Sequence, residues 1–338
     1  MTNEEKKIPS LITSNTYLFN LLNTRVKDID DQSERLLKLE SWPIKATFNE
    51  DFFHYVVLNK IITETKNKKQ KHHKIYLAAF SGHARRKMYQ VLDFVYHHGF
   101  QDDAVVVPHP LWYVEEIMSA FYIDFPGENL LVHIKEYKED PELIGQIASG
   151  LKKFHSLPAD KIKLEKHPFD FKHLDPTNVL GSPYNRHRQL SFDIKKEFVK
   201  WRQIFEKTQK KYYLSHGDFH PGNIIINQSD NNKIAFIDFS ESCLAPIYYD
   251  LGSFLAQFNS MTKDYLSPQS RLLLENKFVA SYFNGSEVDA ESLRQINLYK
   301  AWTELKSTVY FMIFQDPTSQ AKAQENFLDS QKKLSLIP

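Results

Sequence analysis

The sequence predicts an α+β protein in two parts, a small lobe built on an antiparallel sheet and a larger, mainly helical lobe. Three observations predict it. Up to residue 124 the chain runs in short stretches rich in β-branched and aromatic residues: FFHYVVLNKIITE at 52–64, KIYLAAF at 74–80, AVVV at 104–107 and IMSAFYID at 117–124. Past Gly127, apolar residues recur every three or four positions, the period of a helix. The 338 residues are also 42% hydrophobic and 14% aromatic, which supplies cores for the roughly two domains expected at ~150 residues each. The expected division is an N-terminal helical extension at 1–45, a small lobe at 46–126 and a helical lobe at 127–338.

Each element has its own warrant. Residues 31–40, DQSERLLKLE, read as a short helix with Leu36, Leu37 and Leu39 on its apolar side, closed by Pro43. The basic run KNKKQKHH at 66–73 reads as a solvated loop joining two hairpin strands. At 84–96, Met88, Val91, Leu92 and Val95 fall at helical spacing, with Gly99 as a stop and His97 and His98 near the helix dipole. Leu143, Ile147, Leu151 and Phe154 define an amphipathic helix over 142–155. A further helix spans 188–209, with Phe192, Phe198, Val199 and Phe205 on its apolar side. Strands at 223–227 and 233–238 flank the turn-rich QSDNN. Ser267–Pro268 starts another helix, and Asp289 caps a long one reaching about Phe314, with Leu293, Ile296, Leu305, Val309 and Met312 buried.

Charge and cysteine content exclude several functions. Lys and Arg number 43 against 42 Asp and Glu, so no overall attraction for nucleic acid is expected. One cysteine, Cys243, excludes an intrachain disulfide and a cysteine zinc cluster. The opening MTNEEKKIPSL lacks a signal-peptide core, and no run of 18 apolar residues occurs, so a cytoplasmic chain without a membrane span is expected. Oligomeric state is not legible. The four tryptophans read as packing residues, and Cys243 as an ordinary small residue.

The chemistry concentrates in His216-Gly217-Asp218-Phe219-His220-Pro221-Gly222-Asn223, with Asp238 fifteen residues after Asn223. If the strands at 223–227 and 233–238 pair as a hairpin, Asn223 and Asp238 can meet at one end. An amide oxygen and a carboxylate are hard ligands suited to Mg²⁺. Asp218, on an irregular turn, can project to the same place as a free carboxylate that orients a hydroxyl, the equipment of phosphoryl transfer. Such residues also make ordinary Asx-turns. His216 and His220, four apart, could hold zinc, but two glycines and a proline argue against the rigid helix such a pair uses.

HGDFHPGN followed by IDFS resembles the aminoglycoside phosphotransferase family, which includes choline and other small-molecule kinases and is related to protein kinases. Tyr249-Asp250-Leu251-Gly252, the helix ending GLKKFHSLP and the segment YIDFPGENL at 122–130 extend the resemblance over roughly 74–255. It implies a bilobal protein-kinase-like fold with a nucleotide-binding small lobe and a catalytic, acceptor-binding helical lobe. It further implies Asp218 as catalytic residue, Asn223 and Asp238 as Mg²⁺ ligands, and His216 and Asp250 as structural supports. The backbone of Ile123, Asp124 and Phe125 is implied to hold the adenine of ATP.

Two departures stand out. The strand lysine that pairs the phosphates falls on Ala78, and the helix glutamate that holds it falls on Met88. Either charge alone would be costly to bury, so a paired loss is coherent. Lys60, Lys74, Arg85 and Arg86 are then the available cations; Lys74 shares a strand face with Ala78 but lies about 13 Å along it. The function expected is Mg²⁺-dependent transfer of the ATP γ-phosphoryl group to a hydroxyl of a small molecule. The alternatives are a pseudokinase-like binding or scaffold protein and a different reaction. Glu304, on a late helix, is a candidate to meet a cationic acceptor.

Overall fold

Leu36, Leu37 and Leu39 lie in a strand, not in the short helix their clustering suggests. In the computed structural model, which describes residues 1–170, 188–208, 210–230, 233–312 and 316–337, Ser33–Phe48 is extended (β1) and pairs antiparallel with Phe53–Thr65 (β2). Three leucines in a charged decapeptide offer a helix little to bury. A long hairpin instead satisfies the backbone along the whole segment and buries Leu36 against the sheet. Pro43 is tolerated because β1 is the edge strand and a register shift falls at Pro43/Lys45. The N-terminal helices lie further upstream, at Ile8–Ile12 (α1), Asn15–Thr24 (α2) and Val26–Ile29 (α3).

The third strand, Gln70–Phe80 (β3), begins four residues earlier than expected, so half of the basic run is strand and only its first half is turn. The five-stranded sheet has the order β1-β2-β3-β6-β5, with Pro110–Val114 (β5) and Ser119–Ile123 (β6). Val105–Val106 (β4) does not join it. It pairs parallel with Lys233–Phe236 (β10), in a four-stranded sheet that also holds Ile224–Asn227 (β9) beside β10 and Glu128–Asn129 (β7) beside β9. A run of four valines and alanines carries no sign of which sheet it serves. Helix Ala84–His97 (α4) ends before Gly99, whose φ of 101° supplies the left-handed turn.

The chain divides into two compact units. The first is Met1–Glu128 with Ile225–Glu241, and the second is Asn129–Ile224 with Ser242–Pro338. In the first, Ile8, Ile12, Leu18 and Leu22 of α1 and α2 pack on Phe53, Val57, Ile61, Ile75 and Leu77, so the N-terminal helices roof one sheet face.

The second unit is built from Leu130–Tyr137 (α5), Pro141–His155 (α6), Arg188–Lys207 (α7), Tyr248–Thr262 (α8), Pro268–Tyr282 (α9), Ala290–Met312 (α10) and Pro317–Ser335 (α11), with the two-stranded ladder of Tyr213–Ser215 (β8) and Cys243–Ala245 (β11). Its caps are those expected: Ser267 Oγ accepts from Ser270 N and Asp289 Oδ1 from Ser292 N. In α7 the buried face is Ile194, Phe198, Trp201 and Phe205, while Phe192 and Val199 are exposed. Trp201 fixes that rotation by donating from Nε1 to Leu298 O at 2.7 Å. Leu293 of α10 is likewise exposed, and Ile296, Leu305, Val309 and Met312 are buried. Gln209, two residues of the QSDNN turn and Phe314 lie outside the described residues. Trp112, Trp201 and Trp302 are buried and Trp42 is largely exposed. Among the described residues no helix is long and apolar enough to cross a membrane.

Candidate active site

The loop 215–223 is pinned from below by one carboxylate. Asp250, in the first turn of α8 and wholly buried, accepts from His216 N at 2.8 Å, Gly217 N at 3.0 Å and His155 Nε2 at 2.9 Å. Burial pushes its pKa up, but these donors and the charge of the nearby histidines outweigh that and hold it below the usual range. Tyr249 donates from its hydroxyl to Gly217 O at 3.1 Å. His216 is buried between Phe154 and Phe219, and its carbonyl accepts from Ser242 Oγ at 3.3 Å. Gly217 has φ 82°, the conformation that lets the chain reverse between two such anchors.

The loop then presents Asp218 with its side chain about a third exposed. His220 Nδ1 accepts from Gly222 N at 3.0 Å, so the proton of this ring sits on Nε2, which faces Asp218 Oδ2 at 3.5 Å. Burial alone would raise the pKa of Asp218. The hydrogen bond from His220 and the charge of Lys306 prevail and lower it to about 2. Asp218 is therefore an ionised acceptor throughout the physiological range. Asn223, itself buried, donates from Nδ2 to Asp218 O at 2.9 Å, so its Oδ1 is the amide's accepting end.

In the first unit, Asp238 follows β10 by two residues at φ 60°, with its side chain 45% exposed. Its Oδ1 accepts from Arg85 Nη1 at 3.3 Å and from Ser240 N at 3.4 Å. Oδ2 takes no part in either bond. An amide oxygen such as that of Asn223 and a carboxylate such as that of Asp238 are each hard ligands of the kind a magnesium ion accepts.

At the end of β6, Ile123 N donates to His109 O and Asp124 N to Lys74 O, both at 2.9 Å, so these two N–H groups belong to the sheet. Lys74 Nζ stands 3.6 Å from Asp124 Oδ2. Ala78 is 2% exposed, registered between Val56 and Ala120, and Met88 is 4% exposed; no charge is possible at either place. Glu304 is taken up in the helix packing. It is 6% exposed and its Oε1 takes Lys333 Nζ at 2.5 Å within the α10–α11 packing.

Sequence reasoning passed over His155, Tyr282, His54 and Lys306. His155 was visible only as part of a helix ending, and Tyr282 Oη, 2.7 Å from its Nδ1, carries no local signal. Lys306 emerges only through its effect on Asp218.

An antiparallel sheet unit and a mainly helical unit carrying a braced HGD loop define the class of kinase-like folds. Solved structures agree. An ethanolamine kinase from Plasmodium vivax superposes with a TM-score of 0.64 at 15% identity, covering 98% of this chain and 97% of that one. An amicoumacin kinase solved with AMP-PNP and Ca²⁺ gives 0.63 at 14% identity, covering 98% and 96%. Mouse choline kinase alpha is 23% identical over 176 residues, a match that spans 45% of this chain and 38% of that protein. The model of the phosphotransferase enzyme family matches residues 74–294. The chain belongs to that family.

Proposed function

We propose that the protein transfers the γ-phosphoryl group of ATP to a hydroxyl of a small molecule, with Mg²⁺. The observation that carries this is the state of Asp218: a partly exposed carboxylate held ionised by His220, its own carbonyl bound to the amide of Asn223. A carboxylate of such low pKa is too weak a base to strip an alcohol at the outset. Asp218 therefore accepts a hydrogen bond from the acceptor hydroxyl and orients it. The hydroxyl oxygen bonds to the γ-phosphorus, the bond to the β–γ bridging oxygen breaks, ADP leaves, and the proton passes to Asp218 late. Asn223 Oδ1 and Asp238 would hold the magnesium ion, which when bound neutralises charge on the phosphate oxygens. His216 and Asp250 support the loop. The adenine lies against Ile123, Asp124 and Phe125, and Lys74 and Arg85 are the cations available to the nucleotide. The neighbour solved with AMP-PNP and Ca²⁺ supports a nucleotide and a divalent ion. The likeness to an ethanolamine kinase and a choline kinase supports an alcohol acceptor.

Ala78 and Met88 favour a second reading, a protein that binds without transferring. The two separate by thermal shift and an ADP-release assay over a panel of amino alcohols and aminoglycosides. Mg²⁺-ATP should raise the melting temperature, Asp238→Ala should abolish that rise, and one acceptor should release ADP. Stabilisation by ATP without any dependence on Mg²⁺ or Asp238 would overturn the transferase reading.

A further inference from the structure

Residues registered across antiparallel strands point to the same face. Lys74, Tyr76, Ala78 and Phe80 of β3 therefore share a face with His54, Val56, Leu58 and Lys60 of β2. The opposite face is the core, with Val57, Ile61, Ile75, Leu77 and Ala79. A strand lysine for the phosphates would rise from the first face at position 78, where the side chain is a single methyl group.

A cation nevertheless reaches this face, from the helix. Arg85, in the first turn of α4, is 6% exposed. Its Nη2 donates to His54 Nε2 at 2.7 Å, while Nη1 donates to Asp238 Oδ1 at 3.3 Å and lies 3.4 Å from Met88 Sδ. Its Nε is buried with no partner. Arginine cannot shed its charge, and a buried N–H left unfilled is costly until something accepts from it. Phosphate oxygens match the guanidinium fork in charge and shape.

His54 decides what Arg85 can do. A guanidinium only donates, so Nε2 is the accepting nitrogen and the ring proton is on Nδ1. The ring rests on Phe80 at 5.1 Å, and Phe80 stacks on Phe52 at 5.8 Å, which fixes its plane. A glutamate in this role would cancel the charge it positions. Asp238 already sets one carboxylate against Arg85, and an imidazole positions the guanidinium without adding a second. Lys74 is placed differently, with its side chain 53% exposed and directed to Asp124.

We infer that Arg85, rather than a strand lysine, grips the nucleotide's phosphates, and that His54 is the positioning residue that aims it. The inference rests on the nucleotide reading above and deepens it.

Calorimetric titration with ATP and with adenosine tests it on the full chain. Arg85→Ala should weaken ATP at least about tenfold and leave adenosine within about twofold, because only ATP carries phosphates. His54→Ala should weaken ATP several-fold, and His54→Gln, whose side-chain oxygen can accept from Arg85, should recover most of it. If Arg85→Ala does not fold, Arg85→Lys is read instead, with a loss of ATP over adenosine of about threefold or more. Unchanged ATP affinity in the Arg85 variant, equal weakening of ATP and adenosine, or a loss confined to Lys74→Ala would each overturn the assignment. Failure of the unaltered protein to bind ATP or adenosine would overturn the nucleotide reading with it.

Discussion

Asp250 and His155 lie 2.9 Å apart and are almost completely buried, and the same carboxylate receives the first two N–H groups of the HGD loop. The geometry of Asp218 thus depends on a residue 32 positions further along the chain. Behind His155 stands Tyr282 of α9, so the support runs from helix to histidine to carboxylate to loop. Removing Asp250 leaves a histidine and two amides in the interior without an acceptor. Asp250→Ala should cost about 3–5 kcal/mol, and Tyr282→Phe, which removes one neutral partner, about 1 kcal/mol. Urea midpoints measured with unchanged m-values check both.

Asp218→Asn keeps the size of the side chain and removes its charge. Phosphoryl transfer should fall by about 10²–10⁴-fold while Mg²⁺-ATP binding stays within about twofold. The pH profile gives a second check. The carboxyl is lowered to about 2, so its protonation cannot produce an acid limb in kcat anywhere above about pH 3. The associated stability is present above the unfolded pKa of about 3.9 and is lost only as pH falls through about 2. An acid limb near pH 4–5 that disappears in Asp218→Asn would contradict this environment.

Gly252 belongs to the packing of α8 on α10. A Cβ there would meet Tyr299 C at 2.6 Å and Lys300 N at 2.7 Å, both main-chain atoms that cannot swing aside. The Tyr-Asp-Leu-Gly segment therefore ends in glycine for reasons of contact between helices, although alanine is the better helix former by about 1 kcal/mol. Gly252→Ala should destabilise the protein by about 1–3 kcal/mol despite that gain in propensity. A melting curve for the variant is sufficient to check it.

The fold class and the candidate loop were legible because their signals are local. The HGD loop, Asp238 and the caps at Ser267 and Asp289 are short-range patterns whose physics is complete within a few residues. Strand pairing is not. The segment at 31–40 reads as helix until Phe53–Thr65 is brought alongside it, and Val105–Val106 joins Lys233–Phe236 across more than a hundred residues. The faces of α7 and α10 were misjudged at Phe192, Val199 and Leu293 because aromatic or aliphatic character was counted without the hydrogen bond from Trp201 that sets the rotation. Arg85 was visible as a charge, but His54 as its holder was not. Their sequence separation of 31 residues leaves no trace in any local pattern.

Glu304 shows the same limit and supplies the last test. From the sequence it is an acidic residue on a late helix; in the fold it is clamped by Lys333 of α11, and its Oε2 is buried with no hydrogen-bond partner. Burial pushes its pKa up, and although Lys333 and Lys300 oppose this, it stands raised to about 7. A carboxyl with a raised folded pKa binds a proton more tightly in the native state than in the unfolded chain. Unfolding stability therefore falls as pH rises from about 4.5 to about 7, by about 1–3 kcal/mol, and is flat from this source beyond. Glu304→Gln cannot ionise and should lose that slope, so its advantage over the unaltered protein should be larger at pH 8 than at pH 5. Lys333→Met should act the other way. It strips the ionised carboxylate of its partner and should destabilise most at pH 8, by about 3 kcal/mol or more. Urea denaturation of the two variants at both pH values decides the matter: parallel curves for Glu304→Gln and the unaltered protein would show that the carboxyl ionises as freely as in water.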